Sequence, residues 1–247
     1  MKNKKTYFAS DFHLGVPGKK ESIVRELKII KWLDEIKVDA KDIFLVGDIF
    51  DFWFEWNKVV PKGNYRLLSK LSEISEIGIK IHFLKGNHDL WTFGYLKEVG
   101  LKVYDSDIKI EIDGKKFLIS HGDGIGNFDF KYKILKKTIF ENKFFQKLFS
   151  ILHPDISIKI ANYFSKKSRL KKFKHDDNFY LKKLKKYCNK VLEKEKIDYF
   201  IFGHYHIVSE TKINDISKLF ILGDWVNHNS YLQLYEGKPE MKKFNYQ

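Results

Sequence analysis

A layered α/β fold with mixed β-sheets flanked by helices is predicted by three observations. Short apolar runs alternate with amphipathic stretches over the first half of the chain, apolar runs resume after Lys196, and a lysine-rich segment with helical spacing separates the two parts. Alternating strand and helix is the grammar of βαβ units, whose strands pair in parallel. The Asp113-Gly114 dipeptide between two strand-like runs signals an antiparallel hairpin as well, so the sheets are expected to be mixed.

The first strand runs to Ser10, followed by an amphipathic helix around Ile23 to Ile36 and a strand at Ile43 to Val46. A loop leads to a helix at Tyr65 to Ile77, stopped by Gly78, and then to the strand Lys80 to Leu84. Ile108 to Ile112 alternates, Asp113-Gly114 turns, and Lys116 to Ser120 returns. From Phe128 to Lys196 the chain is glycine-poor and spaces Ile134, Leu135, Ile139, Phe144, Phe145, Leu148, Phe149 and Leu152 helically, which predicts a helical insertion. Its two ends must return close to one place, which makes it a candidate lid. Leu219 to Trp225 and Tyr231 to Tyr235 then close the sheet. Residues 1–247 are read as one domain, with the basic insertion at 128–196 inside it.

Hydrophobic residues at 43% and aromatics at 16% support a packed interior in a chain of 247 residues. No apolar run approaches the roughly 18 residues that span a bilayer. The basic start Met1-Lys2-Asn3-Lys4-Lys5 leads into a strand rather than an apolar signal core, and Cys188 is the single cysteine, so a reducing, cytoplasmic setting is expected. Between Phe128 and Lys196 stand 19 Lys and one Arg against seven acidic residues, so this segment holds 13 of the net 14 positive charges. Such a field favours an anionic partner: a phosphorylated substrate, a phospholipid surface or nucleic acid.

Five apolar runs each end in metal-type side chains: Asp11-Phe12-His13, Gly47-Asp48, Gly86-Asn87-His88-Asp89, His121-Gly122-Asp123 and Gly203-His204-Tyr205-His206. Ligands of layered α/β folds bind at the carboxyl ends of strands. Residues two apart in a strand share a side, so Asp11 with His13, and His204 with His206, are expected to reach one ion, with Gly47, Gly86 and Gly203 permitting a sharp turn before each ligand. One ion would take Asp11, His13, Asp48 and His206, and the other Asp48, Asn87, His121 and His204, with Asp48 bridging. Mixed nitrogen and oxygen donors suit Mn²⁺, Fe or Zn²⁺. Two divalent cations lower the pKa of a bridging water and neutralise phosphate oxygens, which is the chemistry of phosphoester or phosphoanhydride hydrolysis. His88 is the candidate catalytic group at the leaving oxygen, with Asp89 orienting it. His82, His153, His175 and His228 lack this context and are assigned nothing.

In this order the five segments resemble the calcineurin-like binuclear metallophosphoesterases, and the match spans Asp11 to His206. Within them, Ser10-Asp11-Phe12-His13-Leu14-Gly15, Val46-Gly47-Asp48-Ile49-Phe50-Asp51-Phe52-Trp53 and His121-Gly122-Asp123-Gly124 are similar to the UDP-2,3-diacylglucosamine diphosphatases of lipid A synthesis. The resemblance implies two Mn²⁺ ions and cleavage of UDP-2,3-diacylglucosamine to UMP and 2,3-diacylglucosamine 1-phosphate. It also implies a lid that holds the acyl chains, an enzyme peripherally attached to the inner membrane surface, and no obligatory protein partner. Substrate contacts would come from Asn87, His88, Asp123 and His204, and from Asn162, Ser165, Lys166, Ser168 and Arg169 of the lid. Lys and Arg would hold phosphates, while Phe128, Phe130, Tyr132, Phe140 and Phe164 would line an acyl cleft or approach the membrane. The chain departs from many proteobacterial members in carrying His88 where they carry Arg. Two other readings compete: a phosphodiesterase or nuclease of the same superfamily using the basic segment on nucleic acid, and an adaptor that keeps the motifs without catalysis.

Overall fold

The computed structural model describes residues 4–125, 134–172 and 176–245, with side chains at all of these except 162 and 166–172. One sheet contains β1 (Lys5–Ala9), β2 (Ala40–Val46), β3 (Lys80–Leu84), β4 (Leu101–Tyr104), β10 (Ser230–Tyr235) and β11 (Lys238–Lys243), in the order β11-β10-β1-β2-β3-β4. The second contains β5 (Ile108–Ile112), β6 (Lys115–Ser120), β7 (Tyr199–Phe202), β8 (Val208–Lys212) and β9 (Lys218–Leu222), in the order β5-β6-β7-β9-β8. Strands β1 to β4 are parallel, as are β6, β7 and β9, while the outer pairs are antiparallel. The mixed sheets and the hairpin at Asp113-Gly114 are as expected. The edge strands β4, β8 and β11 carry little periodic signal and were not legible in the sequence.

Two sheets bury one another because their central strands are apolar on both faces, the pattern of strands covered on each side. Phe8, Phe44 and Val46 of the first sheet meet Phe117, Ile119, Ile201 and Phe220 of the second in one cluster. The outer face of the first sheet is covered by α1 (Lys19–Ile36) and α2 (Tyr65–Glu76); α1 turns Ile29, Trp32, Leu33 and Ile36 inward at helical spacing. A short helix α3 (Tyr95–Glu98) precedes β4.

The expected helical insertion is a π-helical turn (Lys136–Phe140) followed by α4 (Lys143–Ile151), α5 (Pro154–Lys172) and α6 (Asp177–Leu192). It divides into two parts of different character. Helix α6 packs Leu184 and Cys188 onto Leu118, Phe200 and Ile221 of the second sheet, so it is a layer of the scaffold rather than part of a lid. The turn, α4 and α5 have little cover: Phe144, Leu148, Ile151, Ile156, Tyr163 and Phe164 are all exposed.

Candidate metal centre

Parallel strands β1, β2 and β3 of one sheet and β6 and β7 of the other end on a common edge, and the five motifs begin within two residues of those ends. Sequence logic placed Asp11 with His13, and His204 with His206, by strand alternation. The structure corrects this: all four stand beyond the strand ends with φ of +57°, +44°, +67° and +56°, as does Asp48 at +53°. Left-handed backbone at non-glycine residues is costly and persists only where neighbours hold it, as at functional sites. Backbone bonds supply the hold here: the amides of Asp11 and His13 donate to the carbonyls of Gly47 (3.0 Å) and Asp48 (3.0 Å). The buried Arg25 reinforces it by donating through Nη1 to the carbonyls of His13 (2.8 Å) and Val16 (2.9 Å).

The role expected of the glycines also changes. Gly47 does turn the chain with φ +80°, but Gly86 has no positive φ and is required for room, since a Cβ there would lie 2.2 Å from Asp48 Oδ1.

Among the described residues, three groups of ligand-type atoms come together: Asp11, His13 and His206; Asp48, His121 and His204; and His13, Asp51 and His88. His204 and His206 therefore serve different groups, one on each side of the centre. His206 Nε2 lies 3.1 Å from His13 Nε2 and 3.2 Å from Asp11 Oδ1. Asp48 Oδ2 lies between the first two groups, 3.3 Å from His121 Nε2 and 3.7 Å from His13 Nε2, as a bridging carboxylate would. Asp11 Oδ2 accepts the His204 amide at 2.8 Å, which ties the two groups together.

These residues fit a pair of divalent cations on the chemistry of their unsatisfied atoms. Asp11 Oδ1, Asp48 Oδ2, Asn87 Oδ1 and His121 Nε2 are buried without a hydrogen-bond partner, although buried polar atoms ordinarily have one. All four are lone-pair donors of the kind Mn²⁺, Fe and Zn²⁺ accept. Electrostatics agree: burial pushes Asp11 and Asp48 up, but the histidines beside them hold both carboxyls well below their usual range. Burial likewise pulls the His13 and His121 rings down, yet the neighbouring carboxylates raise them to about 9 and about 10 in the metal-free chain.

His88 is brought to the centre as expected, its ring edge-on to His13 at 5.0 Å. The expectation that Asp89 orients it is overturned. Asp89 is fully buried and accepts the amides of Ile49 (2.8 Å) and Gly86 (2.7 Å), so its carboxyl shapes the two ligand-bearing turns. Burial and the Asp48 carboxylate raise it to about 7 against the pull of those amides. His88 Nδ1 instead lies 2.7 Å from the Asp51 carbonyl. Asp51 was missed as a site residue: its carboxylate lies 3.3 Å from His13 Nδ1 and accepts the Ser165 hydroxyl at 2.9 Å. Its place three residues after Asp48, on the turn leaving the same strand, is the signal that marked it.

Ser165, expected to contact substrate, is buried beside Asp51 and His88, which brings α5 to the centre. Asp123 accepts Lys136 Nζ at 2.8 Å, so a lysine of the insertion is held on the His121 side. Phe128, Phe130 and Tyr132 lie outside the described residues, as do the side chains of Asn162, Lys166, Ser168 and Arg169. Phe149 of α4 packs on Phe54 (5.1 Å) and Trp91 (4.6 Å), and Trp91 Nε1 donates to the Phe140 carbonyl at 2.7 Å. These aromatic contacts anchor the base of the insertion to the loops that follow Asp48 and Asp89.

Residues 4–208 match the calcineurin-like phosphoesterase family. A UDP-2,3-diacylglucosamine hydrolase of Porphyromonas gingivalis (strain ATCC BAA-308 / W83) is 35% identical over 92% of each chain. Proteins of the same description from Histophilus somni (strain 129Pt) and Vibrio parahaemolyticus serotype O3:K6 are 26% and 27% identical, over 94% and 93% of this chain and 96% and 93% of theirs. A chain matched by the family over most of its length, with the two ligand clusters that such chemistry requires, belongs to the calcineurin-like phosphoesterases and, within them, to the UDP-2,3-diacylglucosamine hydrolase family of metal-dependent hydrolases.

Proposed function

We propose that the chain cleaves the pyrophosphate bond of UDP-2,3-diacylglucosamine, giving UMP and 2,3-diacylglucosamine 1-phosphate, with two Mn²⁺ ions held by Asp11, His13, Asp48, Asn87, His121, His204 and His206. The observation that carries this reading is the approach of Ser165, from the apolar-faced insertion, to Asp51 and His88 beside the His13 side of the metal centre. It joins phosphoanhydride chemistry to a surface suited to acyl chains in one place. The relatives' described activity agrees with it.

When bound, the two cations supply Lewis acidity toward the phosphate oxygens and a lowered pKa for water. His88 acts as the proton carrier. Its Nδ1–H donates to the Asp51 carbonyl, which leaves Nε2 with the free lone pair, and burial lowers its pKa so that the ring is neutral at pH 7 and ready to accept a proton. Lys136, held by Asp123, offers an ammonium to a phosphate oxygen. Ser165, with Asn162, Lys166 and Arg169 on the same helix, contacts the sugar phosphate. Acyl chains lie along the exposed apolar side chains of α4 and α5. An open cavity of about 630 Å³ between α4 and the loop bearing Phe54 and Trp56 adds further aromatic wall.

The same exposed side chains, interleaved with Lys143, Lys147 and Lys159, suit peripheral attachment to an anionic bilayer surface. No described helix is long and apolar enough to cross a membrane. Nucleic acid is the weaker partner, because Lys182, Lys185, Lys186 and Lys190 lie on the face of α6 opposite Leu184 and Cys188, turned away from the sheet. The test is Mn²⁺-dependent release of UMP from UDP-2,3-diacylglucosamine, set against a non-acylated UDP-sugar and a single-stranded oligonucleotide. Acyl-dependent release supports the reading; turnover of the oligonucleotide without acyl-dependent release overturns the substrate and keeps the reaction class.

A further inference from the structure

Gly223-Asp224-Trp225 follows β9, which is parallel to β7 and ends on the same edge as the five metal motifs. In the sequence this segment read only as the closing strand. We propose that it is a sixth motif of the centre, in which Asp224 is a positioning residue that holds His206 with its Nε2 lone pair toward the Asp11 and His13 group. The proposal rests on the reading that this group holds a divalent cation.

Two contacts converge from adjacent residues. Asp224 is fully buried, and its Oδ2 lies 3.1 Å from His206 Nδ1. Trp225 N–H donates to the Asp11 main-chain carbonyl at 3.1 Å, so one short segment holds the ring of His206 and the backbone that carries Asp11. Asp224 Oδ1 is committed elsewhere: it accepts the amides of Asn227 (2.6 Å) and His228 (3.2 Å). A carboxylate can only accept, so the atom facing it, His206 Nδ1, must carry the imidazole proton. With Nδ1–H committed to Asp224, Nε2 is the ring nitrogen turned to Asp11 Oδ1 and His13 Nε2, and it is the atom that would give its lone pair to a cation held there. A carboxylate behind a metal-binding histidine fixes the tautomer and strengthens the ligand.

The two groups differ in this support. His13 is backed by the Asp51 carboxylate and His206 by Asp224, whereas His121 Nδ1 lies 2.9 Å from the neutral Val46 carbonyl. The Asp11, His13 and His206 group therefore has a carboxylate facing the second nitrogen of each histidine, and it is the one that Asp224 serves. Asn at position 224 cannot keep both arrangements. If its oxygen serves the amides of Asn227 and His228, its NH₂ faces His206 Nδ1 and reverses the tautomer.

Mn²⁺ titrated into the metal-free wild type and Asp224→Asn, followed by calorimetry and by the electron paramagnetic resonance of free Mn²⁺, tests the proposal. Two ions are expected in the wild type, with one of the two sites weakened about 10- to 100-fold in the variant and the other unchanged. Equal affinities in both proteins overturn the role of Asp224 while leaving the metal reading intact. A wild type that binds no Mn²⁺ overturns both. Should the variant not fold, the ¹⁵N shifts of His206 in the Zn²⁺-loaded wild type decide: a protonated Nδ1 upholds the proposal, and a protonated Nε2 overturns it. None of these readouts depends on the substrate, so failure of UMP release and failure of this proposal are separable.

Discussion

The strand-end centre and the α4–α5 part of the insertion are held in opposite ways. At the centre the ligand-bearing turns are fixed from behind: Asp89 accepts the amides of Ile49 and Gly86, Arg25 donates to the carbonyl of His13, and Asp11 accepts the His204 amide. On the insertion, Phe144 is 68% exposed and Ile151 is 74% exposed, and Phe149 is the one described aromatic of α4 with close ring contacts to the scaffold. Chemistry that depends on ligand spacing is placed where the packing permits no choice. Under the proposed function, recognition of an apolar substrate falls to a surface that the described fold leaves uncovered.

The contrast is broken or sharpened by removing parts of each region. Asp48→Ala takes away the carboxylate shared by both groups and is expected to lower turnover about a thousandfold or more on every phosphoester, acylated or not. Steady-state rates on UDP-2,3-diacylglucosamine and on a small aryl phosphodiester check this, and retention of either activity would break the comparison. Phe220→Ala, inside the inter-sheet cluster, should cost about 3–5 kcal/mol in urea unfolding, while Phe144→Ala should stay within about 0.5 kcal/mol. Similar costs for the two would show that the insertion face is covered in solution.

A double substitution Ile151→Ser and Phe164→Ser should raise KM for the acylated substrate about tenfold and leave the small diester untouched, an effect on binding rather than on the centre. A matched loss on both substrates would place these side chains in the machinery of the centre.

The smallest effect concerns pH. In the metal-free chain His13 and His121 titrate at about 9 and about 10, above the ordinary histidine value. Groups whose folded pKa is raised stabilise the fold below the unfolded pKa, about 6.5, and lose that contribution as pH rises through the folded value. Thermal stability of the metal-free protein should therefore decline between pH 7 and 10. Mn²⁺, which needs the unprotonated rings, should bind more tightly over the same range with release of protons. Titration in two buffers of different ionisation enthalpy measures that release, and its absence would sharpen the case for a centre that holds neutral rings throughout.

Much of the fold was legible because its central strands are buried on both faces and leave unbroken apolar runs such as Ile43 to Val46. The metal-type residues were legible because each directly follows such a run. What the one-dimensional pattern hid was which residues meet. Asp51 and Asp224 look like ordinary loop carboxylates until the turns after β2 and β9 bring them behind His13 and His206. Arg25 sits in a helix whose spacing says only that one face is buried, yet its guanidinium holds the loop that carries Asp11 and His13. Helix α6 shares the lysine content of the insertion and still belongs to the scaffold, because Leu184 and Cys188, flanked by Leu181, Tyr187, Val191 and Leu192, face the second sheet.

By itself, then, the order of residues determined the layered sheets, the seven ligand-type side chains and the concentration of charge in one segment, since periodicity and composition are local properties of a chain. The division of the ligands into two groups follows the one expected from their order, while tertiary structure decided which carboxylates back the histidines, which turns hold the ligands and which helix of the insertion belongs to the scaffold. Those outcomes depend on distances between segments up to 193 residues apart, as in the contact of His13 with His206, and such distances exist only once both sheets have packed.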